Sequence, residues 1–182
     1  DQAWEMTSRM MAYTNHTLLP EALEKWSVRM FAQLLPRLLE IIYEINARFL
    51  KLVASRWPGD TDRLRRMSII EEGTEPQVRM AYLAIVGSFS VNGVAELHSK
   101  LLQEGLFRDF YELWPEKFNN KTNGVTQRRW LAWCNQQLST LLNETIGSQW
   151  VTDLKQLDQL KPLADDAVFQ EKWRQVKFNN KL

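Results

Sequence analysis

Residues 28–57 restrict the fold more than any other stretch. Val28, Phe31, Leu34, Leu35, Leu38, Leu39, Ile41, Ile42, Ile45, Phe49, Leu52 and Val53 recur at helical spacing and give one wide apolar face. Pro36 interrupts that period and is expected to open a second helix or kink the first. Pro58-Gly59-Asp60 ends the stretch, and Asp60 or Thr61 can cap a short helix through Met67.

The remaining segments extend a mainly α pattern. Residues 2–13 carry apolar side chains near helical spacing, and Pro20 suits the first turn of a further helix, with Glu21 and Glu24 near its positive end. Gly73 and Pro76, with β-branched flanks, make residues 69–79 a candidate short hairpin, and at most one hairpin is expected. Met80–Val86 is an apolar run too short to assign by period. Ser90 or Asn92 is expected to start a helix through Leu102, with Gly93 and Ala95 permitting close backbone approach and Gly105 as its stop. Helices are also expected at Phe107–Trp114, Leu131–Ile146 (ended by Gly147) and Val151–Leu160, with a last one through Lys177 capped by Asp165 or Asp166.

Polar chemistry concentrates at two places. Lys117–Trp130 combines Asn119, Asn120, Asn123, Thr122 and the pair Arg128-Arg129, with Asn123-Gly124 as a turn whose residues tolerate positive φ. Thr126 is a candidate N-cap for a helix from Gln127, an arrangement that suits hydroxyls, phosphates or carboxylates, although a solvated surface turn reads equally well. Thr14-Asn15-His16-Thr17 is the second, a loop rich in hydrogen-bonding groups. His98 reads as a satisfied core histidine, and Glu71-Glu72 as a solvated face rather than an acid/base pair.

Composition excludes several classes. With 23 basic against 22 acidic residues, the chain lacks the surplus a nucleic-acid coat requires, which also disfavours RNA binding through Arg128 and Arg129. Two distant histidines and one cysteine make no zinc site, and no Gly-rich phosphate loop or G-x-S-x-G elbow occurs. Cys134, following Trp133, is expected to be a buried, inert thiol in a reducing compartment. No apolar run approaches the roughly 20 residues of a membrane span. Eight tryptophans are expected to fill core more than to bind ligand. The sequons at Asn15, Asn120 and Asn143 read as coincidence, and the chain, starting at Asp1 in helical pattern, reads as part of something longer.

Several stretches together resemble the α-glucan phosphorylases (glycogen, starch and maltodextrin phosphorylase). They are AYTNHTLLPEALEKW at 12–26, LLPRLLEIIYEIN at 34–46, PGDTDRLRRMSIIEEG at 58–73, GSFSVNGVAELHS at 87–99, FRDFYELWPEKFNNKTNGVTQRRWLAWCN at 107–135 and DLKQLDQL at 153–160. The resemblance implies a glycosyltransferase that uses pyridoxal 5'-phosphate and inorganic phosphate to release glucose 1-phosphate from an α-1,4-glucan. It places residues 1–182 in the later, helical portion of the N-terminal domain of a two-domain α/β enzyme, with the cofactor domain and its Schiff-base lysine outside this chain. It further implies a homodimeric parent and a cytoplasmic location, or a plastid one in a plant or alga.

By the same resemblance His16 contacts the glucose, with its backbone carbonyl close to the reacting sugar, and is the one catalytic candidate. Asn123 reaches the glucose 6-hydroxyl, Thr17 and Glu24 line the same pocket, and Trp130 lies near the cofactor. Arg37, Ser68, Glu71 and Glu72 match a separate glycogen-holding surface of animal members. Leu38 and Phe89 replace family histidines, Gln127 and Gln136 replace prolines, and Phe89 leans toward a bacterial enzyme. The chain alone is expected to be inactive and, with faces uncovered, to self-associate. The alternative is a stand-alone helical interaction module derived from the enzyme.

Overall fold

Proline placement and side-chain caps account for most element boundaries. In the computed structural model, which describes residues 1–182, helix α1 (Gln2–Met10) runs into strand β1 (Ala12–Thr14). Only a single 3-10 turn, Pro20–Ala22, forms where a longer helix was expected, because strand β2 (Lys25–Ser27) is drawn into a sheet. Helix α2 (Val28–Leu34) and helix α3 (Pro36–Arg56) divide at Pro36, which occupies the first turn of the second. Asp60 caps helix α4 (Thr61–Met67), its carboxylate accepting from the Arg63 N–H at 2.9 Å.

Strands β3 (Ile70–Glu71) and β4 (Gln77–Arg79) form the expected hairpin, and β2 extends it in the order β2-β4-β3. Helix α5 (Met80–Gly87) takes up the apolar run. The next segment departs from expectation: Ser90–Gly93 is strand β5, and helix α6 starts only at Glu96 (Glu96–Leu101). A π-wound turn, Leu102–Leu106, carries the chain through Gly105 to helix α7 (Arg108–Leu113) and strand β6 (Phe118–Asn120). Strands β1, β5 and β6 form a second sheet, wholly parallel, in the order β1-β5-β6. The architecture is mainly α, with two small sheets where a single hairpin was expected.

These elements belong to one compact unit, Asp1–Asn123, and Gly124–Leu182 forms another. In the second, Arg128–Trp133 is π-wound, and Asn135 caps helix α8 (Gln136–Ile146) by accepting from the Leu138 N–H at 3.3 Å. Gly147 ends that helix at φ +77°. A 3-10 segment, Leu154–Leu163, and helix α9 (Ala167–Asn179), capped by Asp166, complete it. Cys134 is exposed, as are Trp130 and Trp133, which corrects the buried-thiol expectation. The wider π turn breaks the 3.6-residue period on which that expectation rested.

The core of the first unit joins Phe31, Leu39, Ile42, Phe49 and Val53 of the long helices to Met67, Ile69, Val78, Ile85 and Val91. Leu34, Leu38, Ile41 and Leu52 of the expected apolar face remain exposed. An aromatic cluster carries this core under the parallel sheet: Tyr13 meets Phe107 edge-on at 6.3 Å, and Tyr82 meets Phe110 at 4.9 Å. Buried Asn46 ties α3 to the chain after α4, its Oδ1 accepting from the Ile69 N–H at 2.8 Å.

Gly93 ends β5 where the next helix crosses it. A Cβ there would lie 2.8 Å from Ser99 Cα and 2.9 Å from Ser99 N, both backbone atoms that cannot move aside. Gly93→Ala is therefore expected to lower stability by about 1–3 kcal/mol in urea unfolding. An unchanged midpoint would contradict this close approach.

Burial pushes the Lys117 ammonium down to about 8, against the opposing pull of Glu116. Its Nζ sits 3.3 Å from the Ile85 carbonyl and 3.8 Å from the centre of the Trp114 ring. Because the folded value is below the ordinary 10.5, the unfolded chain binds more protons between about pH 8 and 10.5, and this group makes stability rise with pH across that window. Lys117→Met is expected to flatten the rise in denaturation series at pH 8 and pH 10. An identical slope in both proteins would show that the ammonium is not held low.

Candidate functional site

Parallel strands gather the two polar loops at one edge. The register pairs Thr14 with Asn92 and Asn92 with Asn119, so β1 and β6 flank β5 with all three carboxyl ends together. Tyr13, Val91 and Phe118 share the core face, and Thr14, Asn92 and Asn119 share the other. On that polar face the Thr14 hydroxyl donates to Asn92 Oδ1 at 2.7 Å.

The loops continue this pairing past the strands. Asn15 N–H donates to the Asn92 carbonyl at 2.9 Å, Lys121 N–H to the Gly93 carbonyl at 3.1 Å, and Asn123 N–H to the Val94 carbonyl at 3.0 Å. His16 and Asn123 thus leave the same end of one sheet, on strands two ladder steps apart, a separation of about 10 Å. The crevice beyond the carboxyl ends of parallel strands is where α/β proteins hold ligands.

His16, Glu24 and Asn123 are exposed, and none of their side chains takes part in an internal hydrogen bond or ion pair. Thr17 is half-buried, its Oγ1 accepting from the Leu19 N–H at 3.1 Å. Glu24 stands apart from this edge in bonding terms. It immediately precedes β2, in the other sheet, and its carbonyl accepts from the Met80 N–H at 3.1 Å. Trp130 is exposed within the second unit, with the Arg129 guanidinium 5.5 Å from its ring centre.

The Asn123-Gly124 turn does not use positive φ, since only Gly59 and Gly147 adopt it. Pairing of Asn123 with Val94 keeps the segment extended instead. Thr126 offers only its carbonyl, to the Trp130 N–H at 2.9 Å. Arg37 pairs with Glu40 at 2.7 Å, and no bond connects it to Ser68 or Glu71. Glu71 is half-buried rather than solvated: the Lys25 ammonium at 2.6 Å, and Arg79 after it, hold its carboxyl below the ordinary range. No group of three or more His, Cys, Asp or Glu is placed to hold a metal ion.

Two further residues hold this edge from within: His98, satisfied through both ring nitrogens as expected though only half-buried, and Asn15 of the polar loop. Asn15 is 1% exposed, so its amide must find partners inside the protein. Its Oδ1 accepts from the Thr17 N–H at 3.0 Å and lies 3.1 Å from His98 Nε2, and its Nδ2 donates to the Tyr13 hydroxyl at 3.1 Å. Burial pushes the Tyr13 phenol up, in part against that hydrogen bond. The sequon at Asn15 is therefore internal, and a buried asparagine in a polar loop carries no signal in one sequence that separates it from an exposed one.

Similarity to known proteins runs the length of the chain. The family model described as carbohydrate phosphorylase matches residues 1–182. The chain belongs to the carbohydrate phosphorylase family. It is 58% identical over 176 residues to a glycogen phosphorylase of Synechocystis, 97% of this chain and 21% of that protein. It is 57% identical over 182 residues to the brain-form glycogen phosphorylase of Pongo abelii, and 55% identical over 181 residues to a glycogen phosphorylase of Chlamydia pneumoniae. In both cases all of this chain is covered against 22% of the relative, so the chain spans about a fifth of the length of these proteins. A match so continuous does not favour the stand-alone module.

Proposed function

We propose that this chain works as part of a longer α-1,4-glucan phosphorylase and forms one wall of its glucose pocket. The observation that carries the reading is the parallel-sheet edge, where the His16 and Asn123 loops are bonded to alternate residues of the same strand end, Asn92 and Val94 flanking Gly93. Both side chains are exposed and internally unbonded, the condition of groups that serve a ligand. His16 and Asn123 would grip one hexose from two sides, with Thr17 beside His16 and Glu24 at the margin. Holding the sugar in one orientation is the chemical contribution of such a wall.

Inorganic phosphate is the co-substrate in this reading, and glucose 1-phosphate the product. Pyridoxal 5'-phosphate supplies acid/base chemistry through its phosphate in the family's reaction. The residues of this chain do not fit a cofactor site on their own. Lys117, whose ammonium is disfavoured by burial, is occupied by the Ile85 and Val86 carbonyls and the Trp114 ring. The cofactor is accordingly assigned to the rest of the longer chain, with Trp130 on this chain's side. Residues 1–182 would be the later portion of the N-terminal domain, and the uncovered Leu34, Leu38, Ile41 and Leu52 would meet its remainder. The parent would be a homodimer in the cytoplasm or a plastid; no helix here is long and apolar enough to cross a membrane.

Phosphorolysis of maltodextrin tests the reading. The 182-residue chain alone should release no glucose 1-phosphate, and the longer chain should. In the longer chain, His16→Ala and Asn123→Ala should each lower kcat/KM about ten- to hundredfold, the usual cost of a lost hydroxyl contact. Wild-type kcat/KM in both variants would overturn the assignment.

A further inference from the structure

His98 joins the two loops through both of its ring nitrogens. Nδ1 lies 3.1 Å from the Val94 N–H, a group that can only donate, so Nδ1 is bare and accepts. The ring proton therefore resides on Nε2, which donates across 3.1 Å to Asn15 Oδ1. Asn15 Oδ1 also accepts from the Thr17 N–H, which fixes the backbone on the far side of His16. On the other side, the Val94 carbonyl accepts from the Asn123 N–H. One continuous path thus runs from Thr17 through Asn15, His98 and Val94 to Asn123. His98 is half-buried and Asn15 is almost wholly buried.

We infer that His98 and Asn15 are positioning residues of the glucose pocket: the imidazole, protonated on Nε2, clamps the His16 loop to the turn that carries Asn123. The inference rests on the hexose reading above and adds how the two loops keep their spacing. Neither residue touches substrate. Sheet pairing alone sets the strand ends, while the clamp sets the loops beyond them.

Two measurements test it. A long-range proton–nitrogen NMR spectrum of selectively labelled histidine rings in the longer chain should show His98 protonated on Nε2; a proton on Nδ1 overturns the clamp whatever the activity is. Kinetics in the longer phosphorylase should show kcat/KM for a maltooligosaccharide reduced about tenfold in His98→Phe, with kcat falling, which loss of folded protein alone would not mimic once rates are referred to folded enzyme. His98→Gln, long enough to donate to Asn15, should recover part of the loss. His98→Asn, able to accept from Val94 but too short for Asn15, should not, and it replaces His98→Phe if that variant does not fold. Folded variants with wild-type kcat/KM overturn the inference. A longer chain without any phosphorolysis overturns the hexose reading instead, and the ring tautomer still decides the clamp.

Discussion

The backbone of Ser90–Gly93 is the piece on which the candidate site depends. It is the middle strand of the parallel sheet, and its carbonyls and the one that follows anchor both polar loops. Neither loop is long or apolar enough to fix its own position. Remove β5 from between its neighbours and His16 and Asn123 belong to segments more than 100 residues apart with nothing to hold them together. Loop closure over that span is affordable only because the sheet is pinned from beneath by a core that includes Val91 and Phe107, both with no exposed surface.

The two faces of this sheet divide the labour. Tyr13, Val91 and Phe118 supply apolar contact, and the aromatic cluster around Phe107 and Phe110 fills the space below them. Polar groups on the loops are then free to be satisfied by one another, as Asn15 is, or to stay unbonded within the protein, as the side chains of His16 and Asn123 do. The contrast within two adjacent residues is instructive: Asn15 is buried with three partners, and His16 is exposed with none through its side chain. A rigid residue next to an available one is the arrangement that holds a binding group without using it up.

Elements with local causes were legible in the sequence. Pro36, Asp60, Asp166 and Gly147 mark boundaries where they were expected, since each acts through its own backbone or the next turn. Strands of three or four residues were not legible, because β1 and β5 are extended only through each other and β6. Ser90–Gly93 therefore read as a helix start, and the parallel sheet went unseen. The π-wound Arg128–Trp133 defeated a 3.6-residue reading for a different reason, a local change of period, and took Cys134 with it. At the site, the family resemblance supplied His16 and Asn123 as expectations. Asn15 and His98 were hidden because their role lies in long-range bonds, across 83 positions of the chain, that no spacing rule anticipates.

Through-hydrogen-bond NMR coupling reads the central claim without recourse to activity. The amide nitrogens of Asn15, Lys121 and Asn123 should couple to the carbonyl carbons of Asn92, Gly93 and Val94 respectively, three cross-peaks from one strand end. If Asn15 or Asn123 instead couples to a carbonyl outside residues 92–94, the two loops do not share an edge and the account is wrong.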